Sequence, residues 1–79
     1  MSRSQSIEAV CARVAEILRE ERIAQDLSLT RLAAAAALSR QAVSYIEQGK
    51  RIPSLDTLLR LTRVLKLDLA EVIQRAGKC

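Results

Sequence analysis

The sequence predicts an all-α fold of five short helices. Apolar residues recur at spacings of three and four along the chain, with no alternating strand pattern. Ser or Asp stands just ahead of each apolar stretch, where a helix needs an N-cap. Gly occurs twice and Pro once in 79 residues, too seldom for a strand-and-turn architecture. Hydrophobic residues make up 49% of the chain with a single aromatic, so the core must be built from Leu, Ile, Val and Ala. Such a length suits one domain near the lower size at which a core holds without staples, and residues 1–79 are read as that single unit.

The elements follow in order. Ser4 or Ser6 can cap helix 1, expected over about 6–25. Ile7, Val10, Cys11, Val14, Ile17 and Leu18 form its apolar stripe, with Glu8, Arg13, Glu16, Arg19 and Glu20 outside it. The helix is long for so small a domain, so its first turns are expected to overhang the core. Ser28 caps helix 2, expected from Leu29 to about Ala36 with Leu32 and Ala33 inward. The run Ala33–Ala37 has the best helix propensity available, and its methyl groups let another helix approach closely. Ser39 caps helix 3, expected from Arg40 to about Gln48, with Val43 and Ile46 inward and Gly49 able to end it in the left-handed conformation. Pro53 and Ser54 open helix 4, with Leu55, Leu58, Leu61 and Leu65 as its inner stripe. Asp68 and Glu71 have capping-box spacing for helix 5, which carries Leu69, Val72 and Ile73 and stops near Gly77.

Composition excludes several classes of function. There is no His, and Cys11 and Cys79 lack metal-ligand spacing, so no metal and no cofactor is expected. No phosphate-binding Gly loop, cysteine–histidine arrangement or paired carboxylate argues for an enzyme. MSRSQS at the start lacks the apolar stretch of a secretory signal, and no apolar run reaches membrane-spanning length. The chain therefore reads as cytoplasmic, in a reducing compartment. Cys11 is expected as a small buried hydrophobe, and Cys79 as exposed and open to oxidation in vitro.

The net charge of +4 is unevenly distributed. Residues 1–27 hold four Arg against five acids, whereas 28–51 hold Arg31, Arg40, Lys50 and Arg51 against Glu47 alone. The basic excess begins where a helix-turn-helix pattern begins, at about 28–48. Reading a DNA major groove needs an inner stripe that fixes the second helix, which Val43 and Ile46 supply. It needs outward donors and acceptors near that helix's N-terminus. Arg40 can donate twice to guanine O6 and N7, and Gln41 can pair with adenine N6 and N7, with Ser44 and Tyr45 on the same side. It also needs phosphate anchors, which helix N-termini at Ser28 and Ser39, with Thr30, Lys50 and Arg51, can provide.

At these residues the chain resembles the Cro/C1-type helix-turn-helix regulators. The matching residues are Arg22, Leu27-Ser28, Leu32-Ala33, Leu38-Ser39, Val43-Ser44, Ile46-Glu47, Gly49-Lys50-Arg51, Pro53-Ser54 and Thr57-Leu58, with SYIEQGKRIPS the most specific run. The resemblance spans Val14–Ile73 and implies a compact five-helix, lambda-repressor-like DNA-binding domain. It implies that Arg22 and Glu47 form an internal ion pair tying helix 1 to the end of helix 3. It also implies base reading by Arg40, Gln41, Ser44 and Tyr45, and phosphate binding by the Gly49–Arg51 loop. The chain departs from the family at four positions. Leu29 stands where a phosphate-touching Gln is usual, Ala37 where the turn usually has Gly, Glu21 where an apolar residue is common, and Lys66 where Gly is common.

The partner implied is double-stranded DNA, bound by a homodimer at a pseudo-palindromic operator, because one module contacts few base pairs. Val64, Leu69 and Ile73 have no obvious use inside the core and are the expected dimer interface. The same fold also serves as a protein-binding module, such as an antitoxin or antiactivator, through exposed parts of helix 1 or helix 5. Membrane and small-molecule partners are not expected.

Overall fold

The computed structural model describes residues 6–77; Ser4 and Cys79, and the expectations for them, lie outside this range. Within it the chain forms five helices and no strand: α1 Ile7–Ala24, α2 Leu29–Ala36, α3 Arg40–Glu47, α4 Leu55–Leu65 and α5 Leu69–Ala76.

Each helix starts at a side-chain cap. The hydroxyls of Ser6, Ser28, Ser39 and Ser54 accept from the backbone N–H groups of Ala9, Arg31, Ala42 and Thr57, and the Asp68 carboxylate accepts from Ala70. Helices of eight to eighteen residues would be marginal alone, so these caps satisfy groups that would otherwise need water.

Four helices end the same way. Asp26, Ala37, Gly49 and Lys66 all take positive φ. In each case the next residue's N–H reaches back five positions: Leu27 to the Arg22 carbonyl, Leu38 to Ala33, Lys50 to Tyr45 and Leu67 to Thr62. This is the Schellman arrangement, and it normally brings an apolar contact at the residue after the left-handed one. Leu27, Leu38 and Leu67 supply that contact, each half-buried against the core. Gly49 adopts its conformation without steric cost, whereas Ala37 and Lys66 carry a Cβ in the left-handed region.

The core gathers Val14, Ile17 and Leu18 of α1, Leu32, Ala33 and Ala36 of α2, Val43 and Ile46 of α3, Leu61 and Leu65 of α4, and Val72 and Ala76 of α5. The methyl groups of Ala33 and Ala36 let α3 and α4 pack closely on α2. The structure corrects three expectations here. Leu55 is 65% exposed and does not belong to the inner stripe of α4. It stands on the first turn of α4, which the other described helices leave uncovered, whereas Leu58, Leu61 and Leu65 lie further along. Thr62 is buried on that face, its hydroxyl donating to the Leu58 carbonyl at 2.9 Å. Cys11 is only half-buried, because the start of α1 does project past the other helices and leaves Ile7 78% exposed. Val64 has an internal use, packing partly buried against the core.

A buried polar contact ties α1 to α3. The Arg22 guanidinium on the last turn of α1 donates through Nε to Glu47 Oε2 at 2.8 Å and through Nη2 to Oε1 at 3.1 Å. Its Nη1 donates to the Leu27 carbonyl at 2.9 Å. The Glu47 side chain is 5% exposed and the Arg22 side chain 13%. Glu21 makes a looser link from α1 to α5, 3.6 Å from Arg75.

Two consequences are measurable by thermal unfolding. Ala37→Gly should stabilise the protein by about 1 kcal/mol, the relief of the left-handed Cβ less the added freedom of the unfolded chain, raising Tm by about 4–8 °C. An unchanged or lower Tm would show that the turn carries no strain. Glu47→Ala should cost about 3 kcal/mol by leaving the Arg22 charge confined without a counter-charge. The double substitution Arg22→Met with Glu47→Leu should cost less than that single change, and a larger loss would mean that the ion pair is a net source of stability.

Candidate nucleic-acid interface

The recognition unit is built from α2, the turn Ala37–Leu38–Ser39 and α3. Leu38 anchors the turn on the core, and the left-handed Ala37 redirects the chain so that α3 leaves α2 at an angle. On α3, Val43 and Ile46 are buried together with Glu47. Spacing of three and four along a helix then puts Arg40, Gln41, Ser44, Tyr45 and Gln48 on the opposite side. Arg40, Gln41 and Gln48 are exposed, Tyr45 is 39% exposed and Ser44 is half-buried.

This outer face is tied by hydrogen bonds between successive turns. Gln41 Nε2 donates to the Tyr45 hydroxyl at 3.1 Å, and Gln48 Nε2 donates to Ser44 Oγ at 2.7 Å. Gln48 was not singled out from the sequence, although its spacing of four from Ser44 and eight from Arg40 is a readable signal for the same face. Arg40 is exposed, with no hydrogen bond or ion pair to it among the described residues.

The proposed phosphate contacts flank this face. Ser28 and Ser39 use a hydroxyl lone pair as caps, which leaves each hydroxyl hydrogen to donate outward. Thr30 is exposed on the first turn of α2. Lys50 and Arg51 are exposed in the loop after Gly49, and Lys50 Nζ lies 6.0 Å from the centre of the Tyr45 ring. Leu29, standing where the family usually has Gln, is half-buried against the core and supplies packing in place of a polar contact. The structure thus brings Arg40, Gln41, Ser44, Tyr45, Lys50 and Arg51 onto α3 and its following loop. Leu69 and Ile73 lie apart on α5, where Ile73 is 44% exposed.

Among the described residues no group of three metal-ligating side chains occurs, and no helix is long and apolar enough to cross a membrane. The face offers donors and acceptors for base edges and cations for phosphate, with no assembled nucleophile or acid–base pair.

Comparison with known proteins agrees with this geometry. The helix-turn-helix family model matches residues 18–72. No curated protein sequence matches the chain significantly. Among solved structures, the restriction-modification controller protein C.AhdI from Aeromonas hydrophila is 33% identical, with 80% of this chain and 94% of that one covered and a TM-score of 0.73. The clp gene regulator ClgR from Corynebacterium glutamicum is 25% identical over 85% of this chain and 71% of that one, with a TM-score of 0.79. The wild-type controller protein C.Esp1396I shares the fold, with a TM-score of 0.77 at 18% identity over 91% of each chain. The match over residues 18–72 contains both the α2–turn–α3 unit and the ion pair that holds it, and the chain belongs to the Cro/C1-type helix-turn-helix family of DNA-binding transcription regulators.

Proposed function

We propose that this chain is a sequence-specific regulator that binds a pseudo-palindromic operator as a homodimer. The observation that carries the reading is the α3 face. Arg40, Gln41, Ser44 and Tyr45 project from a helix whose inner side is locked by Val43, Ile46 and the Arg22–Glu47 pair. A short helix held in this way reaches base edges with little freedom left to lose. Arg40 matches the two acceptors of guanine and Gln41 the acceptor and donor of adenine. Ser28, Thr30, Ser39, Lys50 and Arg51 supply phosphate contacts that set register without reading sequence.

A single two-turn reader covers few base pairs, so useful discrimination calls for two half-sites about one helical turn apart, roughly 10 bp centre to centre. With α2 and α3 facing DNA, α5 is the element free to meet a second copy. Leu69 and Ile73 are the apolar groups proposed for that contact. Val64, packed against the core, contributes at most its outer edge. A two-fold axis through α5 would set both copies of α3 on one side of the duplex.

Selection from a random DNA pool should enrich a repeated, inverted half-site. Arg40→Ala and Gln41→Ala should each cost about 1–3 kcal/mol on that site and relax preference at one base pair per half-site. Lys50→Ala should weaken all duplexes alike and flatten the dependence of log K on log salt by about one unit. If Arg40→Ala folds normally and keeps full specific affinity, α3 is not the reader.

Ile73→Glu should give a folded monomer with much weaker operator binding, since two modules would no longer be ordered together. Sedimentation at micromolar concentration checks this. A variant that still sediments as a dimer would move the interface off α5, with the exposed start of α1 around Ile7 and Val10 the next place to test.

A further inference from the structure

We infer that the two-fold contact extends from α5 onto the loop between α3 and α4, where Ile52 and the apolar hollow beside it meet a second copy, so that dimerisation clamps the segment carrying Lys50 and Arg51. The inference rests on the proposed homodimer and on the loop's proposed part in phosphate binding, and it concerns how the two are coupled.

The α5 groups are too few to hold two copies together. A stable interface buries about 800 Å² on each partner. Leu69 is already half-buried and Ile73 is 44% exposed, so together they offer a small fraction of that area. The contact needs further apolar surface continuous with Ile73.

That surface is a hollow of about 260 Å³. Val10 and Cys11 of α1, Pro53 of the loop and Leu58 of α4 line it, together with Ile52 and Ile73. Ile52 is 69% exposed. A pocket for a small molecule encloses its apolar side chains, whereas here two isoleucines stand partly in water, and burying them takes a wider cover. A second copy brings the same isoleucines and the same hollow. Projections and recess on one face are what a self-complementary two-fold contact requires. Glu8 and Arg51 add one charge of each sign to the lining, so two such faces do not repel. The exposed apolar surface of α4 differs in this respect. Leu59 lines a separate hollow with Asp56, Arg60 and Arg63, away from Ile73.

The loop itself needs a cover. The Lys50 N–H bonds back to the Tyr45 carbonyl at 2.9 Å. Among the described residues, neither the Arg51 nor the Ile52 N–H donates to another backbone group, and Pro53 has no N–H to give. A segment tied so little by its backbone is placed by what covers its side chains, and in a single copy little covers Ile52. Covering Ile52 fixes Arg51 beside it. A loop fixed in this way has less freedom left to lose when it meets phosphate.

The experiment compares the parent chain with Ile52→Ser, Leu59→Ser and Ile73→Glu, all carrying Cys79→Ser so that Cys11 is the only thiol. Sedimentation gives each dimer dissociation constant, and unfolding temperatures confirm that each variant is folded. Thiol labelling of Cys11 and tryptic cleavage after Arg51 are followed as protein concentration is raised. Ile52→Ser is expected to weaken the dimer about 10-fold or more, since an isoleucine is lost from both copies, and Leu59→Ser to leave it as in the parent. In the parent, labelling and cleavage should both slow over the concentrations at which the dimer forms, and Ile52→Ser should move that range upward. A dimer as tight in Ile52→Ser as in the parent overturns the inference, while the α5 contact still stands if Ile73→Glu is monomeric. A dimer weakened by Leu59→Ser and not by Ile52→Ser also overturns it and moves the contact to the other hollow. Labelling that is slow at every concentration would mean that residues 1–5 of the same chain cover the hollow. Labelling and cleavage that stay fast in the dimer would leave the hollow open to some other occupant. Either result overturns the inference. A parent chain that is monomeric at every concentration overturns the homodimer reading and this inference with it.

Discussion

The fork between Arg22 and Glu47 is the constraint on which the rest of the molecule depends. It joins the last turn of α1 to the last residue of α3 through two hydrogen bonds, while a third bond from Arg22 to the Leu27 carbonyl fixes the exit from α1. A helix of two turns does not persist by propensity, and its axis can rotate or tilt unless tertiary contacts forbid it. Val43 and Ile46 resist that motion through packing, which tolerates small shifts. The guanidinium–carboxylate fork is planar and directional and does not. Burying two charges is a poor route to stability as such, but a half-made pair is costly, so alternative placements of α3 are penalised.

Around that constraint the chain is divided by repeated small devices. Serine hydroxyls or an aspartate start the helices, and left-handed residues stop four of them. The leucines that follow Asp26, Ala37 and Lys66 turn each stop into a core contact. Each connection thus has its direction set locally, and helices as short as eight residues become packing units. The alanines of α2 serve the same economy of space, since only a methyl group separates its backbone from its neighbours at Ala33 and Ala36. Rigidity built in this way suits a groove reader, whose contacts depend on side chains arriving already oriented.

Much of the fold and part of the site were legible in the sequence. The helix order followed from the apolar spacing and the caps, and α2 spans the stretch expected for it. The left-handed stop at Gly49 was legible from its place at the end of α3, those at Ala37 and Lys66 were signalled only by the Gly usual there in the family, and that at Asp26 had no comparable signal. Leu55 misled because a leucine at the right spacing from Leu58 still needs a neighbour to cover it, and the first turn of α4 has none. Cys11 misled for the same reason on the projecting start of α1. Val64 looked surplus because a helical stripe does not show how far around the helix its neighbours reach.

By itself, the sequence determined the local structure and the chemical inventory: five helices, their caps and stops, and a face of Arg, Gln, Ser and Tyr followed by a basic loop. These depend on interactions within a few residues, where spacing translates directly into geometry. Only the tertiary structure decided how that inventory is oriented. Residues 22 and 47 meet because α1 and α3 pack together. Contacts between distant segments and the poses of polar groups are settled by which surfaces are covered, and coverage is a property of the assembled molecule rather than of any stretch of its chain.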